Sequence, residues 1–170
     1  IVGAEEDTLA VRIANAGGYW GDDPDALLRQ VKGGELDFVT MDYLAEITMS
    51  ILNKQRQRDP EFGSARDFLH HLEPVITDIM ERGIRIITNA GGVNPDICAQ
   101  NVSEMAARYG LKPKIAIVDG DNILDNLDQL AADGADFSNM ETGEPFGLVR
   151  DRVTAANLYF GALPVIRALE

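Results

Sequence analysis

Asp42, Asp119 and Asp121 each stand at the end of a short apolar run, where a carboxylate can be put to use. Asp22 and Asp23 follow the end of the first such run, and Glu46 lies one helical turn beyond Asp42. Carboxylates gathered in one place repel one another, so either one takes up a proton or a cation joins them. The first outcome gives a general acid or base. The second suits an oxygen-seeking divalent ion such as Mg²⁺ or Mn²⁺. Asp42, Asp119 and Asp121 are therefore the candidate catalytic residues and the candidate metal ligands. Their spacing carries no metal signature of its own, and Asp42 and Asp121 also suit the plainer task of capping a helix.

Two turns share one composition. Asn15-Ala16-Gly17-Gly18 leads into Tyr19-Trp20-Gly21-Asp22, and Asn89-Ala90-Gly91-Gly92 leads into Val93-Asn94-Pro95. Glycine permits positive φ and lets backbone N–H groups come close to a ligand. Asn94 suits a helix N-cap and Pro95 a first helical residue, and a helix start beside a Gly-rich turn can hold an anion. Asn15, Gly17, Gly18, Asn89, Gly91, Gly92 and Asn94 are accordingly candidate ligand-binding residues. The competing reading is that tight turns between strand and helix simply need Gly and Asn. Gly17-Gly18-x-x-Gly21 departs from the dinucleotide fingerprint, and no phosphate-binding P-loop is present. No Lys or Arg lies within the loops at the run ends, where a bound polyphosphate would want one.

Other residues carry less. Glu144 lies in the long polar loop from Ala135 to Val149, in Thr142-Gly143-Glu144-Pro145, and joins the ligand-binding candidates; Arg150 and Arg152 follow it. His70 and His71 are adjacent within a helical pattern, so they point to different faces, away from the run ends. Cys98 falls near a helix start, which would lower a thiol pKa, but its surroundings read as those of a small core residue.

The elements that must position these groups alternate. Four apolar, partly β-branched runs read as buried strands: 11–15, 36–42, 84–89 and 114–119. Helical spacing lies between and after them, over 25–31, 43–58, 65–82, 95–109, 123–133 and from about 152 to the end. Leu44, Ile47, Ile51 and Leu52 mark the inner face of the second helix, Asp59-Pro60 stops it, and Pro74 should split the third. Gly83, Gly110 and Gly134 end helices. Strands alternating with helices predict an open, mainly parallel sheet of at least four strands with helices on both faces, a Rossmann-like layer. In such a sheet ligands bind beyond the carboxyl ends of the strands, where the aspartates and the paired turns collect.

Composition bounds the function. The chain has 170 residues, with 28 acidic and 15 basic side chains and a formal charge of −13. That argues against nucleic acid and against an anionic membrane surface. A small-molecule substrate or a cation stays open. Apolar residues make up 45%, enough for a real core. The single cysteine excludes an internal disulfide, and with no long apolar run or signal the expected location is cytoplasmic. Residues 1–10 read as a polar lead-in and 11–170 as one α/β domain.

The motifs Arg12-Ile13-Ala14-Asn15-Ala16-Gly17-Gly18-Tyr19-Trp20-Gly21-Asp22, Gly34-Glu35-Leu36-Asp37 and Asp42-Tyr43-Leu44-Ala45-Glu46-Ile47-Thr48-Met49 resemble the acyclic terpene utilisation (AtuA) family. So do Thr88-Asn89-Ala90-Gly91-Gly92-Val93-Asn94-Pro95, Asp119-Gly120-Asp121 and Thr142-Gly143-Glu144-Pro145, together covering 11–170. Ser64 departs from the pattern, where an aromatic is expected before Ala65-Arg66. The resemblance implies the N-terminal part of a longer protein and a place in the bacterial breakdown of acyclic terpenoids such as citronellol, through CoA thioesters. It assigns no catalytic residue. Two functions stay open: an enzyme of lyase or hydratase type acting on a branched acyl or acyl-CoA intermediate, or a non-catalytic ligand-binding or assembly subunit. The expected partners are a small substrate and either a second copy of the chain or the rest of a longer one.

Overall fold

Ala14, Val39 and Met41 alternate with more exposed neighbours, the period-two pattern of strands covered on one side. In the computed structural model, which describes residues 10–170, they belong to β1 (Ile13–Asn15) and β2 (Phe38–Met41), followed by β3 (Arg85–Thr88). The strands are parallel and lie in the order β1-β2-β3. Asn15 stands opposite Thr40, and Thr40 opposite Ile87. The lead-in, apart from residue 10, falls outside the described residues.

The chain divides into two compact units. Of the described residues, the first holds 10–44, Ala65–Ala90 and Gln100–Pro113, and it contains the sheet. Its helices are α1 (Ala26–Gly33), α3 (Asp67–Leu72) and α4 (Ile76–Arg82), with a 3-10 turn at Glu73–Val75 where Pro74 was expected to split the pattern. α2 (Glu46–Arg58) belongs to the second unit. Leu27 and Val31 of α1, Phe68 and Leu72 of α3, and Ile76 and Ile79 of α4 are buried. Gly83 ends α4 in the left-handed region at φ 66°, where its N–H caps Ile79 C=O. Arg82 donates to the carbonyls of Val31 and Gly34, and Lys32 pairs with Asp78 at 2.8 Å, tying α4 to α1. Right-handed connections between strands in sequential order lie on the same side of a sheet. The burial agrees: Ile13 is 65% exposed, and Asn15 and Arg85 also face outward. One covered face thus replaces the two expected in this unit.

The fourth strand does not form. Residues 114–119 form no strand and have no ladder partners, and Ile115 and Ile117 are exposed. Among the described residues the sheet has three strands. A short apolar run satisfies the strand pattern, but a strand also needs a neighbour to take its N–H and C=O groups.

The second unit holds Ala45–Ser64, Gly91–Ala99 and Lys114–Glu170. α2 ends at Asp59, as expected. It buries Thr48, Leu52 and Asn53, while Ile47 is 71% exposed and Ile51 is also exposed, so the inner face keeps Leu52 but is turned away from the two isoleucines the apolar spacing marked. Asn53 donates to Thr154 C=O, which gives its buried amide a partner. α5 (Pro95–Ala107) begins at Pro95 in this unit, and from Gln100 onward its residues belong to the first. α6 (Leu127–Ala132) follows a 3-10 turn at Leu124–Asn126. The last helix is shorter than expected: α7 covers only Leu163–Leu169. The stretch before it holds 3-10 turns at Phe146–Leu148 and Arg150–Arg152, then Asn157 bridging antiparallel to Asn122. That bridge takes backbone groups a helix would need, and Pro164 lies in the first turn of α7, where it suits a helix start.

Candidate functional site

The carboxyl ends of the three strands come together as the register requires. Thr88 pairs with Met41, so the next residues, Asn89 and Asp42, emerge side by side. Asn89 Nδ2 donates to Asp42 Oδ1 at 2.6 Å. The Leu44 N–H donates to the same oxygen at 3.0 Å, and Asn89 Oδ1 accepts the Tyr43 N–H at 2.8 Å. Asp42 is exposed, so its carboxylate is held from one side through Oδ1 while Oδ2 stands open to solvent. On the neighbouring strand Asn15 Nδ2 donates to Thr40 Oγ1 at 3.3 Å, and the Asp42 N–H donates to Gly17 C=O at 3.0 Å. Asn15, Gly17, Asp42 and Asn89 therefore share one end of the sheet.

The Gly-rich turns use their own polar groups. The Gly17 N–H donates to Asn15 Oδ1 and the Gly18 N–H to Asp22 Oδ2, both at 2.9 Å. Neither glycine has positive φ; Gly21 does, at 94°. These two N–H groups close the turn. The second turn works differently. Gly92 has φ 57°, and a Cβ there would lie 2.5 Å from Gly63 C=O oxygen and 2.5 Å from Leu52 Cδ1. A Cβ on Gly91 would meet Pro95 at 2.9 Å. The Val93 N–H donates to Gly63 C=O at 2.9 Å. Close packing against the chain itself accounts for these glycines. Asn94 is buried and stands before the first helical residue, its C=O accepting the Cys98 N–H, as a cap should. Its side chain turns to the preceding loop, where Nδ2 donates to Pro60 and Phe62 carbonyls at 2.8 Å each.

Gly91, Gly92, Asn94, Asp119, Asp121 and Glu144 all belong to the second unit. Asp119 is exposed. Asp121 Oδ2 accepts from Asn157 Nδ2 at 2.9 Å and its C=O accepts the Leu158 N–H at 2.8 Å, which braces the Asn122–Asn157 bridge. Glu144 closes the loop that carries it: its C=O accepts the Asn139 N–H and its Oε2 accepts the Thr142 hydroxyl at 3.2 Å. Asn139 Oδ1 in turn takes the N–H groups of Glu141 and Thr142. Arg150 is engaged with Asp128 at 2.6 Å, which holds that carboxyl below its usual range. Among the described residues no group of three or more His, Cys, Asp or Glu is placed to hold a metal ion.

Two groups behave otherwise than their sequence positions imply. Cys98 is buried, and burial pushes its thiol up to about 11 instead of down. His71 is joined to the strand-end network. The Tyr43 ring is buried, and its hydroxyl lies 2.7 Å from His71 Nδ1, with the rings stacked at 6.0 Å. Tyr43 and His71 stand 28 residues apart, and no sequence spacing announces such a contact. The only available signal is that Tyr43 directly follows the strand-end Asp42.

Among the described residues no helix is long and apolar enough to cross a membrane. A protein-family profile described as "Acyclic terpene utilisation family protein AtuA" matches residues 11–170. Comparison with curated proteins and with solved structures gives no match.

Proposed function

The chain belongs to the acyclic terpene utilisation family, with the involvement in acyclic terpene use that this suggests, and from that premise we propose that its site acts on a branched acyl or acyl-CoA intermediate. The reaction is of lyase or hydratase type, and Asp42 is the acid/base. One observation carries the reading: Asp42 Oδ1 is fixed by Asn89 Nδ2 and the Leu44 N–H while the carboxylate stays exposed at the strand end. A carboxylate oriented through one oxygen and open at the other can take a proton from carbon or water and return it. Asn89 is a positioning residue, since it acts through Asp42. Asn15 of the same unit is a proposed ligand-binding residue, and within the second unit Asp119 and Asp121 are proposed acid/base or cation-holding groups and Glu144 a ligand-binding one. The proposed location is the cytoplasm.

The second reading, a non-catalytic ligand-binding or assembly subunit, is favoured by the turns. The Gly17 and Gly18 N–H groups are taken by Asn15 and Asp22, so they offer no ready oxyanion hole. Asp42→Asn separates the two readings. The enzyme reading expects turnover to fall on the order of a hundredfold or more, with binding retained. Unchanged turnover, measured in the longest form of the protein, contradicts it.

A further inference from the structure

α2 has two faces of different character. Thr48, Leu52 and Asn53 turn inward, and the helical repeat sets Ile47, Ile51, Lys54 and Arg58 on the opposite side. These four fall within about 60° of arc, in one stripe along the helix. All four are exposed, Ile47 by 71% and Ile51 by 41%. The stripe is apolar toward the start of the helix and cationic toward its end.

The two cations are unengaged in a strongly acidic chain. Among the described residues neither Lys54 nor Arg58 has an ion pair or a side-chain hydrogen bond, although the sequence holds 28 acidic side chains. Arg56, between them in sequence, points elsewhere and donates to the Val93 carbonyl. Asp59, directly after Arg58, spends its Oδ1 on the Glu61 N–H. The helix dipole favours a cation in the last turn, which Arg58 supplies, but it asks for nothing at Ile47 and Ile51.

An occupant of this stripe must cover two branched aliphatic side chains and answer two positive charges. A convex helix face is readily covered by a second helix, at an interaxial distance of about 8–10 Å. Carboxylates answer Lys54 and Arg58. An antiparallel approach sets those carboxylates at the start of the incoming helix, where its own dipole also favours them. A second copy of α2 fits less well: the antiparallel pairing that joins the isoleucines carries Lys54 and Arg58 toward the positive end of the other helix. An anionic membrane also fits less well. A narrow helix meets mainly the charges within a screening length of about 8 Å, whereas an extended surface also meets the excess carboxylates of a chain at −13.

We propose that this face of α2 docks an acidic amphipathic helix of a partner protein, with aliphatic side chains over Ile47 and Ile51 and carboxylates on Lys54 and Arg58. The docking does not depend on the acyl chemistry proposed for Asp42.

The test titrates the intact protein into two labelled peptides of about 15 residues, roughly the length at which a helix holds alone. Both carry leucines along one face of the C-terminal half. On the same face of the first half, one carries glutamates and the other lysines. Fluorescence anisotropy should show saturable binding of the glutamate peptide, with the lysine peptide at least about tenfold weaker. Ile47→Ser with Ile51→Ser should weaken the glutamate peptide about tenfold or more. Lys54→Glu with Arg58→Glu should reverse the preference, so that the lysine peptide binds better. That gain needs a folded protein, so misfolding cannot imitate it. No saturable binding, equal binding of the two peptides, or a preference that survives the charge reversal overturns the proposal. So does a dimer, seen by sedimentation, that Ile51→Ser dissolves, or binding to phosphatidylserine vesicles that the charge reversal abolishes.

Discussion

Asp42 shows what a single side chain gains from its neighbours. It would be an ordinary surface carboxylate but for Asn89, whose amide donates to it while accepting the Tyr43 N–H. Asn89→Asp should therefore cost more than Asn89→Ser in activity, because a second carboxylate 2.6 Å from the first repels it. Kinetic comparison of the two variants checks this, and equal losses would mean that Asn89 does not act through Asp42. Cys98 makes the opposite case. Its place near the start of α5 suggests a reactive thiol, yet burial raises it to about 11. It should resist a thiol reagent at pH 8 in the native protein and react fully in denaturant; fast native labelling would contradict the burial. The strand-end residues were legible because their types follow apolar runs. His71 was not, since its role depends on a contact with Tyr43 across the fold.

At the level of elements, two turns with one sequence have two physical origins. Gly17 has ordinary φ, and a Cβ there would sit 3.9 Å from Asp42 C=O oxygen, which is normal contact. Gly92 combines positive φ with a 2.5 Å approach to backbone. Gly17→Ala should change stability by less than about 1 kcal/mol. Gly92→Ala should cost about 2–4 kcal/mol, from left-handed strain and overpacking together. Thermal or denaturant unfolding of both variants tests the contrast, and similar losses would refute it. Sequence pattern found the first helix, expected over 25–31 and formed at Ala26–Gly33, the Pro74 interruption, the Gly83 stop and three parallel strands. It failed for 114–119 because apolar alternation says nothing about whether a partner strand is present. It failed for α2 because Thr48 and Asn53 are buried where Ile47 and Ile51 are not, Asn53 being satisfied by a carbonyl 101 residues away.

Over the whole molecule, the charge of −13 is only partly offset by local pairing. Asp23, Asp37, Asp78 and Asp128 are held below their ordinary range, chiefly by hydrogen bonds from Arg29, Arg12, Lys32 and Arg150. Each has a lower pKa folded than unfolded. Its stabilisation is therefore present above the unfolded value, near 4, and is lost as pH falls through the folded value. Melting temperature should be level from about pH 5 to 8 and fall below about pH 4, with a smaller fall in high salt because these pairs are exposed to solvent. A Tm that rises on acidification would contradict this. For Cys98 the sign is reversed: its contribution is intact below the unfolded thiol value, near 8.5, and disappears as pH climbs through about 11. The account of function rests on Asp42, and its most direct test is growth of a producing strain on citronellol with Asp42 replaced by Asn. Loss of growth with the protein still folded and present at normal abundance is the result expected of an acid/base at the strand end. Growth equal to the unaltered strain would contradict it.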